Sequence, residues 1–195
     1  MSVPDAPPPA AAGGSTQRGA SNWNVPNVIT VVRILLAPLF VWMLLADAGD
    51  DGWLRWAAAV LFVLAIATDG VDGAIARRNN LVTELGKLLD PIADKVLTGG
   101  ALIALSILGE LPWWVTIVIL VREVGITVYR FVVIRQGMIA ASRGGKLKTI
   151  VQSVAISLAL FPLWILFGDW VYWVNGIVMT LAVILTVVTL SLIHI

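Results

Sequence analysis

Four aspartates stand within about 26 residues of an otherwise apolar chain, in the stretch DGVDGAIARRNNLVTELGKLLDPIADK that runs from Asp69 to Lys95. Asp69 and Asp72 are spaced i, i+3, and Asp90 and Asp94 are spaced i, i+4, so each pair shares one helix face. Carboxylates gathered at short range repel one another, and loss of water disfavours their charged form. They stay ionised only beside cations. No histidine or cysteine lies nearby, so the donor set is all oxygen and selects a hard divalent ion such as Mg²⁺, Mn²⁺ or Ca²⁺. Mg²⁺ commonly binds through a few carboxylates together with substrate phosphates. The cluster is therefore half a site, and a diphosphate is the group that would complete it.

Small and basic residues accompany the aspartates. Gly70, Gly73 and Ala76 form a bare stripe along one helix face, and Arg77 stands just beyond it, placed to meet a phosphate or a carboxylate. Two glycines one turn apart each cost a helix roughly 1 kcal/mol relative to alanine. Such a stripe either lets a ligand approach the backbone or packs against another membrane helix. The aspartates, likewise, could instead form a structural ion-pair network with Arg77, Arg78, Lys87 and Lys95.

The elements that position these groups follow from composition. The chain is 195 residues long, 59% hydrophobic and 13% charged, with a mean hydropathy of +0.93. Soluble domains are about half apolar and a quarter charged, so the sequence predicts an all-α integral membrane protein. A bilayer core of about 30 Å needs roughly 20 apolar residues per helix. Six segments qualify, near 28–46, 53–77, 88–108, 113–135, 147–167 and 171–193. Residues 1–21 are rich in Pro, Ala, Gly and Ser and read as a disordered tail, leaving 22–195 as one membrane domain. There is no cysteine, which excludes disulfides and thiolate chemistry.

Lys and Arg gather beside the first segment's start and around the second and fourth connections. The other connections carry Asp47, Asp50, Asp51, Glu110 and Asp169, with Arg55 as their basic residue. By the positive-inside rule both termini and the Asp69–Lys95 connection face the cytoplasm. Trp53, Trp56, Trp113, Trp114, Trp170 and Trp173 then form an aromatic belt at the opposite interface. The second and third helices become antiparallel neighbours joined by a loop near 79–86, with Asp90 as N-cap and Pro91 in the first turn of the third helix. All four carboxylates converge in a polar cavity roughly 10 Å inside the cytoplasmic boundary, at about 1.5 Å rise per residue.

The pattern Asp69-x2-Asp72-Gly73-x2-Ala76-Arg77-x8-Gly86-x3-Asp90-x3-Asp94 resembles the complete signature of the CDP-alcohol phosphatidyltransferases. The resemblance implies a six-helix membrane enzyme that displaces CMP from a CDP-linked lipid with an alcohol. It implies Mg²⁺ or Mn²⁺ held by Asp69, Asp72, Asp90 and Asp94, with Asp94 also the general base. It places the CDP-diacylglycerol against Asp69, Asp72, Gly73, Ala76, Arg77 and Thr83, with Asn27 and Thr30 from the first helix, and it suggests a homodimer.

The acceptor must be read from other segments. Asn27-x2-Thr30-x2-Arg33 repeats polar residues every third position of the first helix. Arg122-Glu123 lies deep in the fourth, where the two side chains point in different directions and need separate partners or a wet cavity. Gly145-Lys146-x-Lys148-Thr149, with Gln152 a turn on, opens the fifth. Lys146 and Lys148 also suit ordinary positive-inside anchoring. Cations around an aspartate–metal centre favour an anionic acceptor over choline or ethanolamine. These three runs resemble the bacterial branch of the family that makes phosphatidylglycerophosphate. That implies sn-glycerol 3-phosphate as acceptor, Arg122, Lys146, Lys148, Arg33, Arg130 and Arg143 as phosphate-binding candidates, and a bacterial plasma membrane as location. Inositol phosphate, and phosphatidylglycerol in cardiolipin synthesis, are the rival acceptors. A divalent-cation or phosphate transporter is the rival of another class, and it leaves unexplained why all four aspartates sit at the cytoplasmic end. No nucleic-acid polymer is expected as a partner.

Overall fold

The computed structural model describes residues 25–78, 84–133 and 143–191, and within them the side chains of 27–70, 86, 89–129 and 147–189. The expected disordered tail at 1–21 lies outside the described residues. Seven helices and no strand are found among the described residues: α1 Val25–Ala46, α2 Trp53–Arg78, α3 Glu84–Ile107, α4 Trp113–Val133, α5 Arg143–Leu160, α6 Trp164–Phe167 and α7 Trp170–Ser191. The fold is all-helical, as the composition predicts.

Polarity is distributed as a membrane demands. Leu35, Trp42, Val121 and Ile177 are all exposed. Asn27, Thr30, Arg33, Glu123, Lys148 and Gln152 are buried. An apolar exterior around polar interior positions is stable only against lipid. Three stretches, Asn27–Ala46, Trp53–Gly70 and Trp170–Thr189, are long and apolar enough to cross a membrane, whereas Leu147–Leu160 is apolar but shorter. α3 and α4 have the length, at 24 and 21 residues. Asp90, Asp94 and Lys95 in α3, and Arg122, Glu123 and Arg130 in α4, reduce their apolar character.

α1 packs against both α2 and α3, α3 against α4, and α5 against α7. The shared core is built from Phe40, Leu44, Phe62, Leu102, Leu105, Ile119, Ile156 and Leu160. Small residues allow the closest approaches. A Cβ on Gly100 would come within 2.9 Å of the Val41 side chain, and one on Gly99 within 3.1 Å of Leu120, so α1 and α4 close directly onto α3.

Two sequence expectations need correction. α3 begins at Glu84, seven residues before Pro91, so Pro91 is internal and Asp90 is not an N-cap. The run ELGKLLD is mostly good helix former and extends the helix backwards. The expected loop therefore loses Gly86 to α3, and its remainder, 79–83, lies outside the described residues. The fifth segment, expected as one span over 147–167, is not one helix either. α5 ends at Leu160, and the four-residue α6 follows. Pro162 has no N–H to offer the carbonyl of Leu158, four residues back. Asn175 of α7 supplies the missing donor, its Nδ2 lying 3.3 Å from that oxygen. The next two carbonyls, of Ala159 and Leu160, accept from Arg55 Nη2 and Nε, each at 3.1 Å.

Arg55 therefore ties the end opposite the aspartates. Its side chain is 1% exposed. Its two terminal nitrogens reach the carboxylate oxygens of Glu110, each at 2.5 Å, and Asp51 lies 3.4 Å away. Asp47 caps the start of α2 through the N–H groups of Gly52 and Arg55. Trp53, Trp113, Trp114, Trp170 and Trp173 are exposed at the starts of α2, α4 and α7 at this same end, where the belt is predicted.

Candidate active site

The polar face of α1 organises the aspartate end. Asn27, Thr30 and Arg33 are 5%, 3% and 3% exposed, so the three-residue polar repeat faces the interior. Thr30 Oγ1 donates to Asp90 Oδ1 at 2.8 Å. Arg33 Nη1 donates to Asp69 Oδ1 at 2.5 Å, and its Nε to the Ala65 carbonyl at 3.0 Å. One residue pair, one turn apart on α1, thus fixes a carboxylate from α2 and a carboxylate from α3. Arg33 was expected among the acceptor cations. It is bonded to Asp69, because the α1 face that carries it packs between the two aspartate helices.

Asp69 and Asp94 keep 48% and 37% of their side-chain surface exposed, and Asp90 is exposed as well. All three present oxygen to the open end of the bundle. Among the described residues no three such groups already stand close enough to hold an ion. Asp72 follows Asp69 by one turn of α2, and its side chain lies outside the description, as do those of Gly73, Ala76 and Arg77. Thr83 falls outside the described residues altogether, and the side chains of Arg130, Arg143 and Lys146 are outside them too. The carboxylates that are described fit a hard divalent ion by donor chemistry: oxygen only, partly open, each steadied by a neighbour.

Gly70 bears on the small-residue stripe. A Cβ there would meet nothing within 4 Å. The side of α2 that carries Gly70 is therefore open among the described residues, although the adjacent Asp69 meets Arg33 of α1.

A second constellation adjoins the first. Glu123 of α4 is 7% exposed and receives three cations: Lys95 of α3, Arg122 of α4 and Lys148 of α5. Arg122 Nη1 lies 3.0 Å from Glu123 Oε1, and its Nη2 donates to Thr189 Oγ1 of α7 at 2.8 Å. Four helices therefore meet around one carboxylate. Lys95 also stands 3.4 Å from Asp94, so the two constellations share a residue. Thr98 Oγ1 and Thr127 Oγ1 bond the carbonyls of Asp94 and Glu123 at 2.7 and 2.8 Å. Arg122 and Glu123 do have the separate partners expected of them, Thr189 for the one and Lys95 and Lys148 for the other, and the guanidinium also folds back to its neighbour. Three cations face Glu123, and one of them, Lys95, is shared with Asp94, so positive charge is in excess here. Lys95, Glu123 and Thr189 were missed as site residues. The signal for Lys95 was its place beside Asp94, but α7 offered nothing that singled out one threonine.

Residues 23–188 match the family described as CDP-alcohol phosphatidyltransferase. The chain belongs to this family. Its members generally use divalent metal ions, in keeping with the oxygen donors found here. Over 166 residues the chain is 47% identical to a protein of Mycobacterium tuberculosis named probable phosphatidylglycerophosphate synthase, covering 85% of this chain and 78% of that one. It is 43% identical over 148 residues to the CDP-diacylglycerol--glycerol-3-phosphate 3-phosphatidyltransferase of Bacillus subtilis, covering 71% and 77%. A Rickettsia felis protein of the same name is 39% identical over 141 residues, covering 70% and 75%. The family assignment accounts for the aspartate signature and the all-helical membrane fold together.

Proposed function

We propose that this CDP-alcohol phosphatidyltransferase moves the phosphatidyl group of CDP-diacylglycerol to sn-glycerol 3-phosphate, giving phosphatidylglycerophosphate and CMP. The names of the relatives support this reading. The observation that carries the choice of acceptor is the cluster of three cations around Glu123, reaching Asp94 through Lys95. A phosphomonoester carries nearly two negative charges at neutral pH and is drawn most strongly to such a cluster. A phosphodiester acceptor such as phosphatidylglycerol carries one. Inositol phosphate matches by charge, and the relatives' names favour glycerol 3-phosphate over it.

Asp69, Asp72, Asp90 and Asp94 would hold Mg²⁺ or Mn²⁺, which when bound neutralises the diphosphate and assists departure of CMP. Asp94 takes the proton of the attacking hydroxyl. The hydroxyl oxygen then bonds to the phosphatidyl phosphorus as the bond from that phosphorus to the CMP oxygen breaks. Thr30 and Arg33 keep the Asp90 and Asp69 carboxylates in place. Arg122, Lys148 and Lys95 receive the acceptor phosphate, with Lys146, Arg130 and Arg143 nearby in sequence. Gly70, Gly73, Ala76, Arg77 and Thr83, with Asn27, border the CDP-lipid. The chain would span a bacterial plasma membrane six times, as a homodimer, with the aspartate end and both termini in the cytoplasm, as the Lys and Arg distribution indicates.

An acceptor screen with labelled CDP-diacylglycerol tests the proposal. Glycerol 3-phosphate should be used, and free glycerol, which has the same attacking hydroxyl, should not. Charge-assisted hydrogen bonds contribute roughly 1.5–3 kcal/mol each. Arg122→Ala or Lys148→Ala should therefore lower kcat/KM for glycerol 3-phosphate about 10- to 150-fold, with CDP-diacylglycerol binding nearly intact. Use of phosphatidylglycerol in place of glycerol 3-phosphate would remove the acceptor assignment and leave the aspartate chemistry standing.

The open face at Gly70 gives a separate test of the CDP-lipid site. Gly70→Leu and Gly73→Leu should each weaken CDP-diacylglycerol binding about tenfold or more, about 1.4 kcal/mol, while the unfolding midpoint stays near that of the parent. Unchanged affinity with a large loss of stability would show that the stripe packs helices.

A further inference from the structure

A cavity of about 520 Å³ lies at the end of the bundle far from the aspartates. Asp69 is sixteen residues along α2 from Trp53, roughly 24 Å at 1.5 Å per residue. The volume is in the range of small-ligand sites, roughly 300–1,000 Å³. Asp51, Glu110, Trp164, Tyr172 and Asn175 supply its polar and aromatic lining. The buried residues Leu111, Val115 and Met179 give it an apolar wall. Nothing in the transfer reaction uses this space.

We propose that the cavity binds the primary ammonium headgroup of a membrane aminolipid, with the adjoining chain against the apolar wall. Charge is the first reason. Asp47, Asp51 and Glu110 surround a single cation, Arg55, whose guanidinium is engaged by Glu110 and by the Ala159 and Leu160 carbonyls. Carboxylates are in excess, so an anionic headgroup is repelled and a cationic one attracted. Unused acceptors are the second reason. Oδ1 of Asn175 is buried and accepts no hydrogen bond, and Oδ1 of Asp51 is met only by Arg55, at 3.4 Å. An ammonium offers three donors and no acceptor. The aromatic pair is the third. Trp164 has Arg55 over its ring at 4.8 Å and Tyr172 stacked on it at 5.0 Å, so the exposed Tyr172 ring is the aromatic surface the cavity offers a cation. The apolar wall, at the level of the exposed tryptophans, selects an amphiphile over a small soluble amine.

Dodecylammonium is the probe, titrated calorimetrically into the purified full chain in a neutral maltoside. It should bind saturably and about tenfold or more tighter than dodecanol, dodecyltrimethylammonium or putrescine. These lack, in turn, the charge, the N–H donors and the chain. Gly176 lines the cavity, and a Cβ there meets nothing within 4 Å. Gly176→Phe should therefore fill the space without disturbing the fold, weakening dodecylammonium about tenfold or more while turnover is unchanged. In nanodiscs, phosphatidylethanolamine should compete with the probe and phosphatidylcholine should not. Equal binding of dodecanol, or undiminished binding to Gly176→Phe, overturns the site. Equal binding of putrescine, or no competition by phosphatidylethanolamine, overturns the lipid as its occupant.

Discussion

Asp94→Asn is expected to lower kcat by about 10²–10⁴-fold, the range general-base catalysis supplies, while CDP-diacylglycerol binding and the helical fold persist. Asp94 is the aspartate best placed for proton transfer to an acceptor. It is the one joined, through Lys95, to the cations around Glu123. Its side chain is 37% exposed, so a hydroxyl has access. Asp90 and Asp69 each have an oxygen committed to α1, through Thr30 and Arg33. An asparagine keeps one oxygen for a metal but has no basic lone pair of useful strength. The measurement is kcat at saturating divalent ion, with lipid binding and circular dichroism on the same preparation. Turnover within about threefold of the parent would exclude Asp94 as base. Asp69→Ala, Asp72→Ala and Asp90→Ala should behave differently, losing activity through the metal site, and excess EDTA should abolish turnover in the parent.

The aspartate spacing and the apolar runs made the helices and the first half of the site legible in the sequence. Periodicity reports which residues share a face, and that sufficed for Asp69 with Asp72, Asp90 with Asp94, and Asn27 with Thr30 and Arg33. It does not report which neighbour the face meets. Arg33 was grouped with the other cations because charge sign is visible in a sequence, whereas the packing of α1 between α2 and α3 is not. The convergence on Glu123 was hidden for the same reason. Lys95, Arg122, Lys148 and Thr189 come from four helices, and their meeting depends on crossing geometry. Glu123 was read as needing a partner or a wet cavity, and it has three cationic partners. Pro162 marks a disturbance in the fifth segment, but a kink and a break differ only in whether donors exist for the freed carbonyls. Asn175 and Arg55, 13 residues after it and 107 before it, provide those donors.

Arg55→Ala is expected to destabilise the protein by about 3–5 kcal/mol, the cost of removing one partner from a buried ion pair. Glu110 is 27% exposed, so solvent screens part of the loss on that side. The carbonyls of Ala159 and Leu160 carry the rest. Pro162 ends α5, these oxygens have no helical partners, and Arg55 is the donor that reaches both. Alanine would leave two buried acceptors unsatisfied, at about 1–3 kcal/mol each, and would remove the cation from among Asp47, Asp51 and Glu110. Arg55→Lys should recover little, because one ammonium cannot span Glu110 and two successive carbonyls as a planar guanidinium does. Unfolding in mixed micelles measures the loss, and a change below about 1 kcal/mol would show that water replaces the guanidinium at these carbonyls. The protein that remains folded should keep its turnover, because the aspartates lie at the other end of α2. A fall in both stability and kcat would mean that the break at Pro162 also sets how α5 presents Lys148 to Glu123.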